Sequence, residues 1–256
     1  HVLMAPLSFD PSVQQIFLPL STGGTLYLIP DGLKTEPSGF WEFICREKIT
    51  VINTVPSIMN ILLDKDVKLP HILEYVILAG ETFYGSLLKR LYRSLTIRHL
   101  WNIYGPTEAT INTTIYECQK SDSYYSVPIG KPLDNYRVYV LDEKQRLVPF
   151  GAIGELYIAG IGLARGYVGN ISETEKKFLE NPFEKTGSYY YRTGDLVRWL
   201  PDGNLEFIGR VDKQVKINGV RIELNEIEMA IKENPLIRDA VILERGKKNE
   251  KSLIAF

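Results

Sequence analysis

Cysteine, histidine and methionine are scarce: two Cys, three His and three Met in 256 residues. Cys45 and Cys118 lie far apart without metal-ligand spacing, so neither a disulfide scaffold nor a thiolate metal site is expected. Two thiols in a chain this long fit a reducing cytoplasm. His1, His71 and His99 show no ligand spacing, and no Ser-His-Asp set can be picked out. No apolar run approaches the ~18–20 residues that a membrane helix needs, so no membrane association is expected. There is no secretory signal either, which discounts the glycosylation sequons at Asn112-Thr113-Thr114 and Asn170-Ile171-Ser172. Neither sign of charge dominates. With 30 Lys+Arg against 31 Asp+Glu the net charge is −1, giving no electrostatic reason to expect a nucleic-acid partner. Internal repeats and low-complexity linkers are also missing. What is present is ordinary for a globular chain: 45% apolar and 24% charged residues, enough for one large domain or two modest ones.

From about residue 25 to 105, apolar runs at Thr25–Ile29, Val51–Val55, Tyr75–Ala79 and His99–Tyr104 alternate with amphipathic stretches at Phe40–Lys48, Ser57–Asp64 and Ser86–Leu95. Alternation of this kind predicts βαβ units and a mostly parallel sheet with helices on both faces. Beyond about 125 the texture becomes antiparallel β. Strand-like runs at Tyr136–Leu141, Glu155–Ala159, Tyr189–Arg192, Asp195–Trp199 and Leu205–Gly209 are separated by turn residues, with a hairpin signal at Pro201-Asp202-Gly203-Asn204. A third block begins near Asp212: a strand pair turning at Asn218-Gly219, a helix marked by Asn225 with Glu228 three residues on, then strands at Ala240–Glu244 and Ser252–Phe256. The expected organisation is α/β over 1–125, a β-barrel-like unit over 126–211 and the start of a small α+β unit over 212–256. The chain opens on His1 rather than Met and closes on a strand-like Leu253-Ile254-Ala255-Phe256, so an excised core fragment is the working expectation.

Asn102-Ile103-Tyr104-Gly105-Pro106-Thr107-Glu108 ends a strand in a Gly-Pro turn at the carboxyl edge of the sheet, where α/β folds bind ligands. Ring, hydroxyl and carboxylate there suit base stacking, phosphate bonding and Mg²⁺; the bland alternative is a tight turn with Thr107 as a helix cap. Tyr191-Arg192-Thr193-Gly194-Asp195-Leu196 offers a carboxylate able to accept both hydroxyls of a ribose, or simply a β-turn Asp. The glycines of Gly154-Glu155-Leu156 and Gly160-Ile161-Gly162-Leu163-Ala164-Arg165-Gly166-Tyr167 read better as bends than as a nucleotide loop. In Phe9-Asp10-Pro11-Ser12, Asp10 either caps a helix starting at Pro11 or holds an ammonium; the pattern favours the cap. Within Gly209-Arg210-Val211-Asp212-Lys213-Gln214-Val215-Lys216-Ile217, Arg210 and Lys216 can meet phosphates, and Asp212 suits either a hinge or a solvated linker.

Taken together and in order, these five segments resemble the adenylation domains of nonribosomal peptide synthetases, within the superfamily that also holds acyl-CoA synthetases and luciferases. The likeness spans essentially the whole chain. It implies that Tyr104 stacks on adenine, with Asn102 and Gly80 beside the base. Thr107 would approach phosphate and Glu108 would help hold Mg²⁺. Asp195 would take the ribose hydroxyls, Phe207 would pack near the nucleotide, and Arg210 would reach ribose or phosphate. Asp212 would be the pivot of a C-terminal lid, and Thr107, Glu108, Arg210 and Asp212 the positions serving catalysis directly. The substrate pocket would be Asp10, Pro11, Gln14, Asn53, Ile77, Ala79, Ile103, Ile111 and Asn112, with Asp10 pairing the amino group.

The implied chemistry uses ATP and Mg²⁺ to convert an α-amino acid into an aminoacyl-adenylate. A phosphopantetheine thiol on a carrier domain, beside other synthetase domains, then takes the acyl group. No charged residue lines the rest of the pocket, so a neutral side chain of small to medium size is expected. Three features depart from the family pattern. No Gly/Ser/Thr-rich loop with a lysine precedes Phe9-Asp10-Pro11-Ser12, and the catalytic lysine of the lid is not reached. Asn218 and Asn225 stand where the family commonly has Arg and Gly. Without either lysine, these residues alone are expected to form no useful adenylate. Rival readings are an acyl-CoA synthetase-like acid–thiol ligase, which Asp10 disfavours, and a non-catalytic nucleotide-binding module.

Overall fold

The computed structural model describes all residues except 65, 66, 68, 213, 218, 219, 235, 238 and 246–251, and leaves undescribed the side chains of 216, 217, 221 and 225. The expected turn at Asn218-Gly219 therefore lies outside the described residues, as does the side chain of Asn225.

Five strands form the first sheet, in the order Val51–Thr54, Leu73–Ala79, Ile97–Tyr104, Thr114–Cys118 and Lys131–Pro132. The first three are parallel, and the last two pair antiparallel onto them. The boundary expected at 125 thus falls between the fourth and fifth strands of one sheet. Near-continuous apolar runs such as Leu73-Glu74-Tyr75-Val76-Ile77-Leu78-Ala79 suit a strand buried on both faces. Helix Pro37–Arg46 precedes the first of the three parallel strands, and helices Pro56–Leu62 and Gly85–Ser94 connect them in turn. Proline occupies the first turn of the first two, where its missing N–H costs nothing. The Glu36 carboxylate adds a cap, accepting from Ser38 N at 3.0 Å and Gly39 N at 2.5 Å.

One face of this sheet presents Ile52, Val76, Leu78 and Leu100 to a core with Phe40, Ile44, Met59, Leu88 and Leu91. Trp41 fastens two of the helices, its indole N–H donating to Leu62 O at 2.7 Å. On the opposite face, register places Asn53 beside Ile77 and Ala79 beside Ile103. Helix Pro11–Ser21 meets that face through Gln15, whose amide donates to Asn53 O at 3.1 Å while its oxygen accepts from Met4 N and Ala5 N. Farther along, Tyr75, His99 and Trp101 remain half-buried, so the expected helical cover is complete on one face only.

The second sheet is antiparallel, in the order Phe178–Glu180, Tyr189–Trp199, Gly154–Gly160 and Tyr136–Leu141, with Leu205–Arg210 also on Tyr189–Trp199. The two strands anticipated on either side of Gly194 are a single strand. Its register shifts between Arg192 and Leu196, and Gly194 at φ +78° absorbs the irregularity. Val140, Leu156, Ile158, Val197 and Leu205 form the core, joined by Ala109 and Ile129 from the first-sheet side. Gly130 sits where the sheets meet. Its carbonyl accepts from Leu205 N at 2.8 Å, its φ is +86°, and an added Cβ would lie 1.8 Å from Ile115 O. Backbone strain and overpacking therefore coincide. Gly130→Ala is expected to cost about 3 kcal/mol, read as a lowered denaturation midpoint with little change in slope.

The third unit has a ribbon of Val215–Ile217 and Val220–Ile222, helix Leu224–Lys232, and an antiparallel pair Ile242–Arg245 and Ser252–Ala255. The capping arrangement expected at Asn225 and Glu228 is not what starts the helix. Glu223 holds the N-cap position without a side-chain cap bond, and Glu228 accepts from Ile242 N at 2.9 Å. That carboxylate fastens the helix to the following strand instead.

Candidate functional site

Parallel strands align their carboxyl ends, and the residues after those ends converge. Gly80 follows Leu73–Ala79, and Gly105 follows Ile97–Tyr104. Both border a cavity of about 460 Å³ whose wall also includes Asn102, Tyr104, Asp195, Phe207, Arg210 and Asp212. All of the predicted nucleotide residues except Thr107 are thus brought together. Glu81 and Gln214 line the same cavity and were not anticipated. Glu81 accepts from Ser57 N and Ser57 Oγ, both at 2.9 Å, and so fixes the start of the Pro56–Leu62 helix.

Asp195 is the hub. Tyr104 donates its phenol to Oδ2, and Arg210 donates to Oδ1 at 2.5 Å. The same guanidinium grips Asp212 with two bonds of 2.7 Å and reaches Thr193 O at 3.2 Å. Burial, and then the Asp195 carboxylate, push the Tyr104 phenol well above its usual range, so it stays a donor. Burial opposes ionisation of Asp212, but the Arg210 guanidinium overrides it and holds the carboxyl below its usual range. Asp212 is therefore ion-paired to Arg210 where the third unit begins.

The Thr-Gly-Asp order has a local cause. Thr193 Oγ donates to Leu156 O at 2.7 Å and accepts from Asp195 N at 2.9 Å, which seats the bulge. At Gly194 an added Cβ would stand 2.8 Å from Asp212 Oδ2 and 2.9 Å from Arg210 Nη2. Only glycine admits that approach at a positive φ. Arg192 doubly engages Glu155 at 2.9 and 3.0 Å, and Gly194 N donates to the same carboxylate at 3.1 Å.

Asp10 corrects the sequence reading. It occupies the N-cap position of helix Pro11–Ser21, yet its side chain caps nothing. Instead Oδ2 accepts from Thr107 Oγ at 2.6 Å, across 97 residues of sequence. Thr107 likewise caps no helix by its side chain; it begins a single 3-10 turn, Thr107–Ala109. Glu108, buried in that turn, accepts from the Tyr167 phenol at 2.6 Å, and its carbonyl accepts from Ala164 N at 2.8 Å. Gly162 O takes the Thr110 hydroxyl at 2.6 Å. The glycine segment read as plain bends is thus docked onto the Thr107–Ala109 turn.

Asn102 uses its amide N–H groups on Val127 O at 3.3 Å and Pro128 O at 2.8 Å, anchoring the segment that leads into Gly130. Among the proposed pocket positions, Asn53, Ile77, Ala79 and Ile103 share one sheet face, as the register requires. The Asn53 amide donates to Gln14 Oε1 at 3.4 Å, and Pro11 opens the same helix. Ile111 (φ +70°) and Asn112 follow the 3-10 turn. Ile103 also borders the 460 Å³ cavity, which the other pocket positions do not line.

Residues 1–168 match the family model described as AMP-binding enzyme. The chain belongs to that family. Its fold is that of an adenylation domain: it superposes on the Vibrio cholerae adenylation domain AlmE, solved with glycyl-adenosine-5'-phosphate, with a TM-score of 0.88 at 30% identity, over 99% of this chain and 49% of that one. PA1221, a synthetase protein containing adenylation and carrier (PCP) domains, gives 0.87 at 32%, over 99% and 52%. By sequence the chain is 43% identical over 254 residues to tyrocidine synthase 3 of Brevibacillus parabrevis, covering 98% of this chain and 4% of that protein. It is 42% identical to a plipastatin synthase of Bacillus subtilis, covering 97% and 7%. The chain thus spans a small part of these synthases and about half of the solved adenylation structures.

Within this AMP-binding fold, the residues that sequence reasoning missed are those that hold others: Thr193, the Glu155–Arg192 pair and Tyr167. One signal was present. Glu155 is the one charge in its strand and Arg192 an opposite charge on the neighbouring one, a pattern that asks for a cross-strand partner.

Proposed function

We propose that this chain carries the nucleotide and side-chain recognition elements of an enzyme that activates an α-amino acid with ATP. The observation that carries the reading is the Tyr104–Asp195–Arg210 constellation at the carboxyl ends of parallel strands, with Asp10 bonded to Thr107 nearby. Asp195 accepts the ribose hydroxyls, Tyr104, Gly80 and Phe207 enclose the base, and Asp10 receives the amino group. Thr107 and Arg210 approach the phosphates. An oxygen of the amino-acid carboxylate attacks the α-phosphorus, the bond to the bridging β-phosphate oxygen breaks, and pyrophosphate leaves. A carrier phosphopantetheine thiolate then forms the thioester and releases AMP. Alignment and charge stabilisation are what the protein adds.

Among the described residues no three His, Cys, Asp or Glu side chains gather into a metal site. Mg²⁺ is often held by one or two carboxylates together with substrate phosphates, and Glu108 is the carboxylate this reading assigns to it. The large core over 1–125, the β-rich unit over 126–211 and a lid over 212–256 pivoting at Asp212 are the organisation this reading assigns. Among the described residues, no helix is long and apolar enough to cross a membrane, and cytoplasmic assembly beside a carrier domain is proposed. The test is amino-acid-dependent exchange of pyrophosphate into ATP by the natural full-length protein. Exchange with a neutral amino acid of small to medium size is expected. Exchange driven by fatty or aryl acids, and by no amino acid, would overturn the reading.

A further inference from the structure

The glycine segment 160–167 ends on a residue that neither the cavity nor the substrate positions call for. Tyr167 reaches back 59 residues to place its phenol 2.6 Å from Glu108 Oε1. The rest of Tyr167 is fixed from several sides. Its N–H donates to Thr174 Oγ at 2.9 Å, its ring meets Phe178 edge-on at 5.7 Å, and its hydroxyl lies 3.4 Å from that of Tyr191. The backbone of Glu108 is held by the same loop through Ala164 N, and Thr110, just past the turn, donates its hydroxyl to Gly162 O. Loop 160–167 therefore clamps Glu108 at its carbonyl and at its carboxylate. A hydrophobic ring would fill the same space. Beyond that bulk the hydroxyl adds a short bond to one carboxylate oxygen and a longer one to the Tyr191 hydroxyl.

We propose that Tyr167 is a positioning residue that holds the Glu108 carboxylate ready for a divalent cation, an inference that rests on Glu108 being the metal carboxylate. A glutamate side chain on a tight turn otherwise samples many rotamers, and a cation binds only the correctly aimed ones. A carboxylate accepts about four bonds in all, and the phenol takes one of them. Outer partners of this kind typically change metal affinity about 10-fold or more when removed.

The experiment is Tyr167→Phe in the natural full-length protein. Mn²⁺ serves as a paramagnetic probe, titrated by electron paramagnetic resonance in the presence of a non-hydrolysable ATP analogue. About 10-fold weaker Mn²⁺ binding is expected, with amino-acid KM and Tm near those of the parent. Thr174→Val, which removes the hydroxyl steadying the Tyr167 backbone, is expected to weaken Mn²⁺ about 2-fold to 3-fold and serves if the first variant folds poorly. Glu108→Gln runs alongside. If Glu108→Gln binds Mn²⁺ as tightly as the parent, the metal reading of Glu108 fails and the inference goes with it. If Glu108→Gln weakens Mn²⁺ while Tyr167→Phe leaves it unchanged, positioning by Tyr167 alone is overturned. A lowered Tm with unchanged Mn²⁺ affinity assigns Tyr167 a structural role and also overturns it.

Discussion

Asp195→Ala in the natural full-length protein is expected to weaken ATP binding about 100-fold and to destabilise the fold by about 3 kcal/mol. Two effects add. The carboxylate proposed to accept the ribose hydroxyls is gone, and charge-assisted bonds of that kind contribute about 1.5–3 kcal/mol each. The Arg210 guanidinium, only 12% exposed, also loses a carboxylate partner. Removing one partner of a buried ion pair costs ~3–5 kcal/mol because a charge is left behind. The low end applies here, since Arg210 keeps both bonds to Asp212. Calorimetric titration with ATP and urea unfolding read the two effects separately. An ATP affinity within 2-fold of the parent's would sink the ribose role, whatever happened to stability.

The second large effect is expected at Asp10. Asp10→Ala should raise the amino-acid KM about 100-fold, by analogy with truncating one member of a buried charge pair, while ATP affinity stays within about 3-fold. Thr107→Val should act in the opposite direction on the amino acid. A hydroxyl carries one proton and donates to one acceptor at a time. In the structure that proton goes to Asp10 Oδ2, one of the acceptor sites an incoming ammonium would use, whereas in Thr107→Val that site is open. Amino-acid affinity measured without nucleotide should therefore rise in Thr107→Val and collapse in Asp10→Ala. Equal losses in both variants would mean that the pair is merely structural.

Much of the fold could be read from pattern because its strands and helices answer to local rules. The apolar runs at Val51, Tyr75 and His99 became parallel strands within a residue or two of their expected starts, since a strand buried on both faces must be apolar throughout. Gly194 misled for an equally physical reason. A glycine breaks a strand by default, but here its positive φ, with the Thr193 hydroxyl bridging Leu156 and Asp195, turns the break into a bulge, and pairing resumes. Asp10 misled in another way. Asp before Pro is a strong capping signal, and nothing nearby reveals a partner at Thr107. The docking of loop 160–167 on Glu108 depends on the same kind of long-range placement. The resemblance supplied the cavity residues; it did not supply the side chains that hold them.

That long-range character also sets when the site comes into being during synthesis. The Tyr104–Asp195 bond joins residues 91 apart, and Arg210 lies later still. A ribosome adding about 5–20 residues per second releases Arg210 some ~5–20 s after Tyr104. Through that interval the parallel sheet can form from its own short-range βαβ contacts, while the Tyr104 phenol still awaits its carboxylate. On the proposed function, nucleotide capture is thus a late event in the life of the nascent chain, and ATP would stabilise only molecules that have completed the second sheet.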